Sequence, residues 1–280
     1  MTAKSGKKSP AHYKTVIHLL LIIGSLFMVG PFIWMVLTAF KSLGESTQMP
    51  PVIFPARLRW ENFTNLFDSL PFLTFYWNTF FMATGRTLGA LVFCSMAAYA
   101  FARIEFPGKN VLFLLILSVL MIPSQSYVIP QYLIMVEFGW TNSLKALIIP
   151  ALTSAFGTFL LRQFFLSMPR ELDEAATIDG CNHLQIFVRI LLPLAKPGLI
   201  ALAIFQLLWS WNDLLWPLIV NNSPSKMPLA VGLASLQGQY GTNYPLLMAG
   251  SLLATLPMLI LFIFLQRYFV QGIALSGTKG

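Results

Sequence analysis

The chain has 280 residues and a mass of 31.3 kDa, 56% hydrophobic, 14% aromatic and only 10% charged, against roughly 25% charged in an average soluble domain. This excludes an ordinary soluble globular fold, and just two cysteines, Cys94 in an apolar run and Cys181 in a polar one, exclude a disulfide scaffold. The formal charge of +8 is dispersed between apolar runs, with no basic stripe interleaved with exposed aromatics, so it argues for an orientation signal in a membrane protein and against nucleic-acid binding.

Residues 16–40 contain no Asp, Glu, Lys or Arg, and at about 1.5 Å per residue they cross a hydrocarbon core of about 30 Å with some tilt. The run is too long and aromatic (Phe27, Phe32, Trp34) for a signal peptide and lacks a small-x-small cleavage site, so it reads as an uncleaved helix. A second span falls within 75–102, interrupted only by Arg86. A third covers 112–135 and contains Pro123 and Pro130, tolerable where neighbouring helices satisfy the freed carbonyls. The fourth, 146–162, is short unless Arg162 snorkels to the headgroups. The fifth, 197–218, is interrupted by Asn212 and Asp213, and the sixth is 246–266. The expected fold class is an all-α polytopic membrane protein with six transmembrane helices and a cytoplasmic loop between spans four and five. One membrane domain, 16–270, lies between tails 1–15 and 271–280.

Six spans put both termini on one side. Twelve Lys/Arg fall in the tails and the loops joining spans two to three and four to five; five fall on the opposite face (Lys41, Arg57, Arg59, Lys145, Lys226). The bias makes both termini cytoplasmic. In the external connection 41–72, Trp60, Phe63, Leu66 and Phe67 recur at helical spacing, which suits a short helix on the outer surface or one buried against the bundle. No internal repeat stands out, which disfavours an inverted-repeat secondary transporter.

The loop at 167–193 is more than a connector. Pro169 and Glu171 suit the first turn of a helix, and Asp179-Gly180 its end, Gly being able to take the left-handed conformation. Such a helix is about ten residues long, too short to be stable without docking. Ala175 and Ala176 permit close backbone approach, and Asp173 and Glu174 can pair with basic groups. Spacing alone is equally met by a charged surface helix.

Glu174-Ala175-Ala176, then Gly180 after three residues, then Ile190-Leu191-Leu192-Pro193, resemble the cytoplasmic "EAA" loop of ABC importer permeases. Asp179, Phe187 and Pro197, the stretch Trp211-Asn212-Asp213-Leu214-Leu215-Trp216-Pro217 and the tail motif 266–272 resemble the carbohydrate branch, and among it the maltose-type permease subunit. The likeness covers most of the chain; Cys181 stands where that family usually has Ala. It implies a coupling helix seated in an ATPase subunit, with Glu174 making a charged contact, Ala175 and Ala176 packing closely, and Asp179-Gly180 forming the turn. It further implies a bacterial or archaeal cytoplasmic membrane, a second permease chain, two ATP-binding subunits holding ATP and Mg, an external solute-binding protein and a sugar or sugar-like solute. This chain itself would hold no cofactor and no metal.

Asp213 beside Asn212 is expensive in a membrane unless partnered or facing a cavity. Trp209, Trp211 and Trp216 around it suit sugar stacking, an interfacial belt, or, with Asn212-Asp213, a helix-breaking cap before Pro217. Arg86 either reaches an interface with its long side chain or pairs with a carboxylate or helix-end carbonyls of another span or subunit, and the sequence does not choose between these. Pro123, Gln125, Tyr127 and Pro130 offer a bent, partly polar wall for a solute pathway, or packing alone. No phosphate loop and no His-Glu-x-x-His pattern occurs, and His12, His18 and His183 are dispersed, so no catalytic site is expected. The rival readings are a stand-alone secondary transporter or channel, which leaves the loop unexplained, and a membrane enzyme, which lacks clustered acid–base groups.

Overall fold

The computed structural model describes the backbone of residues 11–238 and 241–277, and the side chains of these except 11–15, 265 and 267–277. The tail motif beyond Gln266 and the charges at Lys4, Lys7, Lys8, Lys14, Arg267 and Lys279 lie outside the described residues. In chain order the elements are α1 (Ala11–Ala39), α2 (Leu43–Thr47), α3 (Glu61–Ser69), α4 (Phe72–Arg103), α5 (Lys109–Ser118), α6 (Val128–Glu137), α7 (Leu144–Ile148), α8 (Ala155–Ser167) and α9 (Glu171–Ile178). There follow α10 (His183–Ile186), a π-helical turn (Phe187–Leu191), α11 (Leu192–Leu194), α12 (Lys196–Trp211), α13 (Leu215–Val220), α14 (Leu229–Ala234), the two-residue strands β1 (Gln237–Gly238) and β2 (Gly241–Thr242), and α15 (Tyr244–Gly277).

The six spans expected from the apolar runs are not all present. Four helical stretches among the described residues are long and apolar enough to cross a membrane, Val16–Ala39, Phe72–Arg103, Leu144–Ser167 and Tyr244–Phe264, and a fifth arises only if the bent pair His183–Leu194 and Lys196–Trp211, turned by 76°, is one span. Proline explains the difference. Pro123 drives Ile122 out of the helical region (φ −92°, ψ 118°), so the expected third span divides into α5 and α6, ten residues each, about 15 Å apiece at helical rise. In the fifth, Pro217 has no N–H for the Asp213 carbonyl, and α12 stops at Trp211. Pro197 likewise cannot donate to Pro193, where the chain bends into α12.

Contacts divide the chain into two compact units. Among the described residues, the first comprises 11–68, 236–238 and 241–253. Its α1 is exposed along nearly all of its apolar length. The end of α1 is fastened by α3: Asn62 Nδ2 donates to the carbonyls of Ala39 and Lys41 at 2.8 and 2.9 Å, and Phe40, Trp60 and Phe63 form a ring cluster. Lys41 is 1% exposed, its ammonium 3.9 Å above the Trp34 ring. A capping box starts α2, with Ser42 Oγ accepting from the Glu45 N–H and Glu45 Oε2 accepting from the Ser42 N–H.

The second unit comprises, among the described residues, 69–235 and 254–277, with α4 packed on α8 and α12. Small residues on α4 make this close: Ala90, Cys94, Ala98 and Ala102 are buried against Leu161, Phe165, Leu191 and Leu202. A smaller cluster joins Met82, Met135, Leu147, Trp216 and Val220.

Candidate functional site

Within the second unit, a cavity of about 500 Å³ opens where α4, the broken segment 119–131, α7 and the α12–α13 break meet. That volume is in the range of small-solute sites. Arg86 reaches it from the middle of α4. Its Nη1 donates to Asp213 Oδ2 at 2.7 Å and its Nε donates to the Leu147 carbonyl at 2.7 Å. Of the alternatives the sequence left open for Arg86, the carboxylate and the helix-end carbonyl are both used, and the interface is not. Asp213 sits just past the C-terminal end of α12, where the helix dipole disfavours an anion, and the guanidinium offsets this. The α7 carbonyls are available because Pro150 lacks the N–H that would close on Ala146; the Trp216 indole donates there instead, at 2.9 Å.

Besides this ion pair, the lining includes Ser124, Tyr127, Gln131 and Gln206, and among the described residues Arg86 and Asp213 are its only charged ones. Of the pathway candidates read from the sequence, Asp213, Tyr127 and Trp216 line the cavity. Gln125 is exposed and accepts from Ser124 at 3.5 Å. Asn212 donates back to the Leu208 carbonyl as the cap of α12. Trp211 is buried, donating to the Ala254 carbonyl at 3.0 Å. Trp216 is 9% exposed, whereas Trp209 is 51% exposed and rests on Phe156 and Phe205. Gln206, 7% exposed within an apolar helix, and Gln131, one turn after Tyr127, escaped the sequence reading. A lone amide in an apolar run was the signal available for each.

The 167–193 loop forms the second feature. Glu171, Asp173 and Glu174 occupy the first turn of α9. Its end is a Schellman closure, with the Cys181 N–H donating to the Ala176 carbonyl, the Gly180 N–H to Thr177, and Gly180 at φ +82°. Ala176 is buried in the core of this unit, while Glu174, Ala175, Asp179 and Gly180 are exposed, as is Ile178 at 86%. Asp173 turns inward to Arg103, 3.3 Å away. Phe187 packs on Tyr99 and Phe165, and the Tyr99 hydroxyl lies 3.4 Å from His183 Nδ1.

Residues 18–275 match the family described as "Binding-protein-dependent transport system inner membrane component". The chain is 39% identical over 268 residues to the arabinooligosaccharides transport system permease protein AraQ of Halalkalibacterium halodurans, covering 93% of this chain and 96% of that protein. It is 32% identical over 264 residues to the sn-glycerol-3-phosphate transport system permease protein UgpE of Yersinia enterocolitica, with coverage of 91% and 94%. Its fold superposes with a TM-score of 0.82 on a chain of a bacterial ABC transporter involved in the import of the acidic polysaccharide alginate, at 24% identity over 96% of this chain and 99% of that one. The chain belongs to the binding-protein-dependent inner-membrane permease family. It is a multi-pass, non-catalytic transmembrane subunit of an ABC-type importer that works with a solute-binding protein and ATPase partners.

Proposed function

We propose that this chain forms one half of the membrane pathway of an ATP-driven carbohydrate importer, and that its solute is an uncharged oligosaccharide or comparable polyol. The observation that carries the solute class is the cavity: its two charged groups, Arg86 and Asp213, cancel each other at 2.7 Å, leaving amide and hydroxyl groups of Gln131, Gln206, Ser124 and Tyr127 to meet hydroxyls. A phosphate or carboxylate entering there would meet a cation already spent on a carboxylate and a carbonyl. The relatives span both chemistries, being named for arabinooligosaccharides, diacetylchitobiose and glycerol phosphate.

In this reading the exposed face of α9, with Glu174, Ala175 and the Asp179-Gly180 turn, seats in an ATPase subunit, and the buried Ala176 holds the helix against its own bundle. Both termini and the 167–193 loop are cytoplasmic. The assembly follows the maltose-type division of labour: a second, different permease chain, two ATP-binding subunits carrying ATP and Mg, and an external solute-binding protein. Solute passes by alternation between outward- and inward-facing states.

Extraction of the chain from its native membrane in mild detergent, with identification of what co-purifies, tests the assembly. A second permease and an ATP-binding subunit in fixed ratio are expected; a chain that carries no ATPase in several gentle detergents overturns the reading. With the binding protein added, ATP hydrolysis by the complex is expected to rise with an arabinose oligosaccharide and not with glycerol 3-phosphate. The reverse response overturns the uncharged class.

A further inference from the structure

The helix that carries the cavity's cation also carries, seventeen residues on, the cation that holds the 167–193 loop. Arg103 ends α4 with its side chain 5% exposed. Its Nη2 donates to the Met168 carbonyl at 3.0 Å, just ahead of α9, and its Nε lies 3.3 Å from Asp173 Oδ2 in the first turn of α9. One guanidinium therefore grips both the entry to α9 and α9 itself.

The grip is incomplete. Arg103 Nε and both Asp173 carboxylate oxygens are buried without an aligned hydrogen-bond partner. An arginine and a carboxylate can form two parallel hydrogen bonds, so the pair is close in charge but unsatisfied in geometry. A purely structural buried pair gains from full satisfaction. Tyr99, one turn before Arg103, fixes the returning arm of the loop through Phe187 and His183.

From Arg103 back to Arg86, α4 is one uninterrupted helix without proline, a rod of about 26 Å at helical rise. Its far end holds Asp213 and the Leu147 carbonyl. A displacement of α9 delivered to Arg103 moves the other end of the same rod, where the cavity's ion pair sits. We propose that Arg103, through Asp173, is the positioning residue that passes the motion of α9 to the Arg86–Asp213 pair, and so sets how much solute is imported per ATP hydrolysed. This rests on the reading of α9 as the ATPase contact.

The test uses the whole complex in proteoliposomes, with solute uptake and ATP hydrolysis measured on the same preparation. Arg103→Gln and the isosteric Asp173→Asn are each expected to leave the ATPase bound and hydrolysing, while solute imported per ATP falls about tenfold, in the range of coupling between distinct sites. The conservative variant Arg103→Lys, which keeps the cation and a donor for the Met168 carbonyl, is expected to retain most of that ratio, which a loss of folding would not allow. A wild-type ratio in both single variants overturns the inference while leaving the ATPase contact standing. So does a loss of uptake that only tracks the amount of assembled complex and is as large in Arg103→Lys as in Arg103→Gln. If the unaltered chain retains no ATPase, the reading beneath it fails and the inference falls with it.

Discussion

Arg86 and Asp213 lie 127 positions apart and meet at 2.7 Å. Arg86 is buried but the Asp213 side chain is 22% exposed into the cavity, so removing Asp213 strands the guanidinium, whereas replacing both with apolar groups of similar volume is often near neutral. Asp213→Leu alone is therefore expected to lower the unfolding midpoint of the detergent-purified complex markedly. The double variant, with Arg86→Leu, is expected to recover stability without recovering uptake. Recovery of both would show the pair to be packing only. The sequence identified each residue as costly in a membrane but could not pair them, because their contact depends on where α12 breaks and how α7 lies against α4. Gln206 was hidden for the same reason: a single amide in a helix gains meaning only once a cavity faces it.

At the scale of elements, α9 shows most directly what local sequence controls. Its acidic first turn and Gly180 closure follow from dipole and steric rules that act within a few residues, and both were legible. Which face is free was not, since that depends on Ala176 entering the core and Asp173 turning to Arg103. Glu174 and Ile178, one turn apart, share the exposed face. Glu174→Lys or Ile178→Asp is expected to reduce ATPase co-purification severalfold with membrane insertion unchanged; undiminished co-purification would remove α9 from the contact. The capping box of α2 gives a pH prediction. The Glu45 carboxyl is held down to about 2, chiefly by the Ser42 backbone N–H, then by the Ala56 N–H and the Ser42 hydroxyl. A folded value below the unfolded value of about 4.3 stabilises fully above the unfolded value and is lost as pH falls through about 2. The stability gap between the unaltered protein and Glu45→Gln is thus expected to be constant above pH of about 5 and to shrink towards pH 2, read as the difference in unfolding midpoints. A gap that widens on acidification would mean that folding raises the Glu45 value instead of lowering it.

At the scale of the whole molecule, orientation can be read from the two thiols. Cys94 is fully buried, whereas Cys181, just past Gly180, is partly exposed. A membrane-impermeant thiol reagent is expected to label Cys181 in inside-out vesicles and not in intact cells, with bound ATPase slowing the reaction. Labelling from the outside would reverse the topology.

The sequence by itself determined that the chain is an apolar, polytopic helical protein, and that a short helix with an acidic first turn ends at Gly180. These follow from composition, periodicity and short-range backbone rules, all of which act between near neighbours in the chain. Only the tertiary structure decided how many of the apolar runs are continuous helices. A proline's missing N–H can be met by a neighbour or can end the helix, and the neighbours at Pro123, Pro197 and Pro217 are set by packing. Tertiary structure also decided that Arg86 neutralises Asp213 and that Arg103 holds α9, because a charge in a low-dielectric interior is settled by whichever partner the fold brings within about 3 Å, and no spacing along the chain specifies that partner.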